Sequence, residues 1–145
     1  MEIRIEAVKM KKSAPILAAS TIKQRNQALE CIARALEEKK ELIFEANKKD
    51  MDYAEKNGVA QSTMKRLIYD ENKLKDSIKG LLELKELKDP IGVVQLHRQL
   101  DTGLVMKKIS VPIGVIGVIF EARPDAMIQV ASLCIKSGNC AILKG

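Results

Sequence analysis

Apolar residues recur with two different periods along this 145-residue chain. Ile22, Leu29, Ile32, Leu36 and Ile43 fall at steps of 7, 3, 4 and 7 within residues 14–56, the spacing that keeps side chains on one helix face. Ser13 with Pro15 reads as the start of this helical segment, because a first turn tolerates proline's missing amide. Asn57-Gly58 reads as its stop, and Asn47-Lys48-Lys49-Asp50 allows a break between Glu45 and Lys49. A second helix is expected from an Asp70 cap through Leu74, Ile78, Leu81 and Leu82 to Leu87. It closes before Asp89-Pro90, since proline pushes the preceding residue out of the helical region.

Residues 91–111 switch to period two. Val94, Leu96, Arg98 and Leu100, then Asp101-Thr102-Gly103, then Leu104, Met106, Lys108 and Ser110 read as a β-hairpin. Polar residues at alternate positions of its second arm predict that one face meets solvent or another subunit. From Val111 onward the pattern reads strand, loop, helix, turn and strand, with Pro124 in the helix's first turn and Gly138-Asn139 ending it. That order, in apolar composition, predicts a βαβ unit opening a parallel sheet. The helix is apolar nearly all round, so it must lie under other structure, and the chain offers little to cover it.

Charge follows the same division. Val111–Gly145 carries five charged residues among 35 (Glu121, Arg123, Asp125, Lys136, Lys144) and twenty apolar ones, whereas residues 1–110 hold the other 39 charges. The formal charge of +6 could suggest a polyanion partner, but lysines and arginines are interleaved with acids and tryptophan is absent. A solvated surface is the first reading, including Lys9, Lys11 and Lys12, and a nucleic-acid partner a distant one. A hydrophobic content of 46% excludes disorder as the state of the whole chain. The length allows one domain with a real core. No stretch approaches the roughly 20 apolar residues of a membrane span. The start, Met1 to Glu6, has acids where a secretory signal would be basic and then apolar, which predicts a cytosolic address.

Three cysteines, Cys31, Cys134 and Cys140, cannot complete a disulfide framework and form no CxxC pair, so reduced, buried thiols are expected. A single histidine, His97, leaves little room for a zinc site or a Ser-His-Asp relay, and its hairpin position predicts an exposed side chain. In open α/β sheets, ligands sit beyond the carboxyl ends of strands. Here those ends are Phe120-Glu121-Ala122-Arg123 and Leu143-Lys144-Gly145. Arg123, beside a helix N-terminus, could hold an anionic group with its planar fork, and Lys144 could donate to a ribose hydroxyl or phosphate. The competing reading makes Glu121, Arg123 and Asp125 a local salt-bridge set and Lys144 merely a strand end. Gly114-Val115-Ile116-Gly117 is no GxGxxG fingerprint and lies inside the strand, where close backbone packing explains it better. The cysteines lack a neighbouring base and read as structural.

The run VPIGVIGVIFEARPDAMIQVASLCIKSGNCAILKG, with the preceding DPIG and DTGLVMKKISVP, resembles the signature region of γ-glutamyl phosphate reductases, also called glutamate-5-semialdehyde dehydrogenases, of the aldehyde dehydrogenase superfamily. The resemblance implies an α/β fold: the N-terminal part of an aldehyde-dehydrogenase-like, Rossmann-type cofactor domain with N-terminal helices and a β-hairpin. Residues 1–90 would form the helical region, 91–111 an oligomerisation hairpin and 112–145 the first βαβ unit. The implied reaction is NADPH-dependent reduction of γ-glutamyl phosphate to glutamate 5-semialdehyde in proline synthesis. A cysteine thiolate displaces phosphate, and hydride reduces the resulting thioester.

By the same resemblance Ile119, Phe120 and Glu121 line the NADP cofactor and Lys144 binds its adenosine ribose. Arg123 falls where the wider superfamily places an oxyanion asparagine; with Pro124 following, it is assigned here to substrate acyl phosphate or carboxylate. Asp125 stands where many bacterial members have Asn and plant-type members Asp. The implied partners are a second copy of the chain and glutamate 5-kinase, and no metal is implied. The nucleophilic cysteine belongs to a catalytic domain beyond position 145, so the chain reads as part of a longer reductase and inactive alone. The rival reading is a non-catalytic, truncated interaction module that dimerises through its hairpin.

Overall fold

A computed structural model describes residues 3–145; Met1 and Glu2 of the acidic start lie outside the described residues. In chain order the elements are α1 (Ile3–Ala18), α2 (Ile22–Glu38), α3 (Lys40–Lys56), α4 (Gln61–Leu67), α5 (Glu71–Glu86), β1 (Val94–Asp101), β2 (Leu104–Ile109), β3 (Val115–Ile119), α6 (Pro124–Lys136) and β4 (Cys140–Lys144).

The helical region departs from the expected boundaries in three places. Pro15 lies inside α1, near its end, instead of opening a helix. The start that matters is Thr21, whose Oγ1 accepts from the Gln24 amide at 3.2 Å while Gln24 Oε1 accepts from the Thr21 amide at 2.8 Å. This reciprocal capping box satisfies two orphan donors and fixes where α2 begins. The break expected at 45–49 falls instead at Lys39 (φ −109°, ψ 17°), between α2 and α3. Asn47 is helical because its side chain has work across the chain: Nδ2 donates to Leu67 O and Oδ1 accepts from the Tyr69 amide, both at 2.8 Å. These bonds secure the turn after α4, a short helix the periodicity does not announce.

Other boundaries fall as expected. Asn57 caps α3 and Gly58 takes φ +67°, which only glycine adopts freely. Asp70 accepts from the Lys73 amide at 3.0 Å to cap α5.

The core lies where α2, α5 and α6 meet: Leu29, Ala33 and Leu81, with Ile32, Ile78, Ile128 and Ile135 packed around them. Two cations are buried at the rim of this core. Arg25 Nη2 donates to both carboxylate oxygens of Asp89 at 2.6 Å, and Arg25 Nη1 donates to Ser20 O. Asp89 also accepts from the Ile91 amide at 3.0 Å, which gives the DPIG segment a structural task. Lys136 Nζ donates to Asn26 Oδ1 at 2.8 Å and Lys85 O at 2.9 Å. Burial pushes the Lys136 ammonium's pKa below the ordinary lysine value. The three helices are thus joined by polar fastenings as well as by apolar contact.

β1 and β2 pair antiparallel from Val94↔Ile109 to Asp101↔Leu104, around a Thr102-Gly103 loop in which Gly103 takes φ +79°. Both faces of this hairpin are exposed throughout, beyond the one face expected to meet solvent or another subunit. Its base is clamped by Ser110, whose Oγ donates to Pro90 O at 2.6 Å and accepts from the Val93 amide at 3.0 Å. β3 and β4 pair parallel from Val115↔Cys140 to Ile119↔Lys144, with α1 packed against both strands and α6 returning along β4. The expected strand, helix and parallel strand are present. α6 is covered by α2, α5 and β4, yet Met127 and Leu133 remain exposed.

Among the described residues no helix is long and apolar enough to cross a membrane. Cys134 and Cys140 are buried as expected, whereas Cys31 is exposed, a correction that follows from its place on the outer face of α2.

Candidate functional site

Tight local bonding builds the carboxyl end of the parallel pair. Ile119 and Lys144 are register partners, and the Phe120 amide donates to Lys144 O at 2.9 Å, extending the ladder one residue past β3. Gly145 lies against the Phe120 ring so closely that an added Cβ would stand 3.1 Å from Cε2. Beyond this frame Ile119 is 87% exposed. Among the described residues Lys144 Nζ makes only a 3.3 Å contact with its neighbour Gly145 O. An apolar shelf and an uncommitted ammonium therefore stand side by side.

The chain then turns sharply through Ala122, whose φ of +48° is the one positive value at a non-glycine among the described residues. A left-handed alanine costs free energy and persists only where its surroundings impose it. The turn delivers Arg123 to the N-cap position of α6, with Pro124 in the first turn as expected. Arg123 makes no capping bond; its Nη2 lies 3.6 Å from Asp125 Oδ2, with the arginine side chain half exposed and the aspartate mostly covered. Asp125 is well placed there, since helix N-termini favour negative charge.

Of the expected site residues, Ile119, Phe120 and Lys144 come together at one strand end. Glu121 is exposed on the following loop, and Arg123 stands at the helix entrance. The local salt-bridge reading holds for Arg123 with Asp125 and does not extend to Glu121. At 3.6 Å between partly solvated groups, that pair is weak and leaves the guanidinium free to meet a stronger anion.

Sequence reasoning missed two supports. Asn139, read only as part of a stop signal, accepts from the Gly114 amide at 2.8 Å and donates to Ser137 Oγ at 2.9 Å, fixing where β3 starts beside β4. Asn directly after a helix-ending glycine and before a strand is the signal that could have found it. The left-handed Ala122 has none, because alanine carries no preference for that conformation. Cys134 fits a structural role: burial pushes its thiol's pKa up, away from the thiolate a nucleophile needs.

Two parallel strands joined through a helix, with a shelf, an ammonium and a guanidinium at their carboxyl ends, define a mixed α/β unit, and in open α/β sheets ligands sit at such ends. No protein-family model matches the chain. It is 51% identical over 138 residues to the γ-glutamyl phosphate reductase of Nostoc punctiforme, covering 95% of this chain and 32% of that protein. It is 52% identical over 128 residues to that of Trichodesmium erythraeum, covering 88% and 30%. The crystal structure of the Saccharomyces cerevisiae γ-glutamyl phosphate reductase superposes with a TM-score of 0.92 at 39% identity, over 96% of this chain and 35% of that one. The Thermotoga maritima enzyme gives 0.93 at 34% identity, over 99% and 34%. Over nearly its whole length the chain is similar to the N-terminal part of γ-glutamyl phosphate reductases, and it spans about a third of the length of the curated relatives it matches.

Proposed function

We propose that this chain supplies the cofactor side of a cytosolic, NADPH-dependent γ-glutamyl phosphate reductase, which makes glutamate 5-semialdehyde for proline synthesis. The observation that carries this reading is the strand end where Ile119 and Lys144 stand paired and exposed next to Arg123, in a chain half identical to named reductases. The residues fit a dinucleotide. Ile119 and Phe120 offer apolar surface, the Lys144 ammonium suits a ribose hydroxyl, and Glu121 stands exposed on the loop beyond. The bound dinucleotide would supply the hydride.

Arg123 is assigned to the substrate. Its fork can take a carboxylate or acyl phosphate in two parallel charge-assisted bonds, stronger than its 3.6 Å contact with Asp125. Asp125 holds the guanidinium at the helix entrance until that anion arrives. The nucleophile is assigned to the part of the enzyme outside this chain, because Cys134 and Cys140 are buried and Cys31 lies on α2, away from the strand end.

Residues 1–90 serve as the helical support, 91–111 as the oligomerisation arm and 112–145 as the first βαβ unit of a Rossmann-type domain. The hairpin's exposure on both faces, with Leu96, Leu100, Leu104 and Val105 among its uncovered apolar residues, supports self-association of the reductase through it. Glutamate 5-kinase, the source of the acyl phosphate, is the proposed metabolic partner.

The test is an assay of the purified 145-residue chain for phosphate- and NADP-dependent oxidation of glutamate 5-semialdehyde. No turnover is expected although NADPH binds. Turnover by this chain alone would contradict the assignment of the nucleophile elsewhere.

A further inference from the structure

The β1–β2 hairpin leaves the body as an arm: every residue of both strands is exposed, so no stretch of it is buried against the helices. Its direction is therefore set where its two legs, residues 89–93 and 110–112, meet the core. The first leg starts at Asp89. Both of its carboxylate oxygens lie 2.6 Å from Nη2 of Arg25, and its Oδ1 also accepts from the Ile91 amide at 3.0 Å. Arg25 is 2% exposed and is itself tied through Nη1 to Ser20 O, just ahead of α2. A guanidinium buried this deeply has no water to exchange for its carboxylate, so the first leg is held to α2 itself.

Both legs then seat on one notch. Gly138, at the end of α6, takes φ +70°, and a Cβ there would stand 2.6 Å from Ile91 Cδ1 and 3.1 Å from Pro112 Cγ. Ile91 precedes the arm and Pro112 follows it, and only a glycine lets the two side chains close down on that turn. Above the notch the legs are tied to each other. Ser110 Oγ donates to Pro90 O at 2.6 Å and accepts from the Val93 amide at 3.0 Å. The Gly92 amide donates to Ser110 O at 2.9 Å, and the Ser110 amide to Val93 O at 3.0 Å. These four bonds make the two legs one piece, so a grip on either leg steers the whole arm.

An ion pair by itself would act as a swivel, and an apolar seat by itself would slide. Two fixed points on different helices, Arg25 on α2 and Gly138 at the end of α6, define a direction. We propose that Asp89 and Ile91 are positioning residues, which with Arg25 and Gly138 form a socket that aims the β1–β2 arm relative to the helical core. A partner that meets an arm already aimed need not order it on binding. The inference goes beyond the functional reading above and does not depend on what the arm pairs with.

The experiment measures the direction of the arm in the 145-residue chain by double electron–electron resonance. One spin label sits on Cys31, the exposed thiol on the same helix as Arg25, and the other on the hairpin loop through Thr102→Cys; Cys134 and Cys140 are buried. Dilution with unlabelled chain removes distances between molecules. A single narrow distance distribution is expected, broadened at least twofold by Asp89→Asn and by Ile91→Ala. Asp70→Ala, which removes the cap of α5 far from the socket, should lower the melting temperature and leave the width unchanged. Circular dichroism checks that each variant is folded. Ile91→Ala leaves the buried ion pair in place and decides the matter alone if Asp89→Asn fails to fold. A distribution already broad in the parent overturns the proposal, as does an unchanged width in Ile91→Ala or in a folded Asp89→Asn. Equal broadening by Asp70→Ala also overturns it, because the width would then follow stability and not the socket.

Discussion

The junction of α2, α5 and α6 and the edge of β3 are both rich in aliphatic residues, yet they end in opposite states. At the junction Leu29 is fully buried and Leu81 nearly so, and even the cations Arg25 and Lys136 are covered and bonded. At the sheet edge Val111, Ile113 and Ile119 stand in the open. The difference lies in neighbours, not in residue type. Apolar content sets how much surface favours burial, and the elements that share the chain decide how much of it is buried. The proposed function places the cofactor against the Ile119 end of this surplus.

The junction should break most readily through its charges. Asp89→Ala strands the Arg25 guanidinium, whose side chain is 1% exposed, without its carboxylate; loss of one partner of a buried pair costs about 3–5 kcal/mol. Urea denaturation should show a midpoint lowered accordingly, and a change within experimental scatter would contradict the importance of the pair. Thr21→Ala removes the capping box of α2 and should cost about 1 kcal/mol in the same measurement. At the other region, Leu104→Ser on the doubly exposed hairpin should stay within about 0.5 kcal/mol of the parent. A large loss there would mean the hairpin is covered.

Lys136 sharpens the comparison through pH. Burial lowers its folded-state pKa, while the unfolded chain keeps the ordinary value near 10.4. Between those two values the unfolded state binds more protons, so stability rises with pH across a window ending near 10.4. The gap between the parent and Lys136→Met, followed by urea denaturation at several pH values, should shift in the parent's favour as that window is crossed. No change in the gap would show that the ammonium is solvated.

Legibility in the sequence tracked how local each cause is. α5 could be read at both ends because Asp70 and Pro90 act within a turn of where they stand. The βαβ order could be read because proline, glycine and β-branched runs mark it. The α2 start was written in Thr21 and Gln24, but Pro15 gave a competing local signal. The break at Lys39 carries neither glycine nor proline. The burial of Lys136 depends on Asn26 and on a carbonyl of α5, residues far away in the chain, and a lysine at a helix end otherwise reads as surface. At the candidate site, the Arg123 and Asp125 contact follows from their spacing. The pairing of Ile119 with Lys144 required the parallel register, which no local pattern encodes.

The most direct test of the central claim is titration of the 145-residue chain with NADPH, followed by nicotinamide fluorescence. Saturable binding is predicted. It should weaken about tenfold or more in Lys144→Ala, the worth of one hydrogen bond to a charged group, and stay unchanged in Arg123→Ala, whose side chain is assigned to the substrate. Absence of saturable binding, or equal affinity in Lys144→Ala, would contradict the assignment of this strand end to the cofactor.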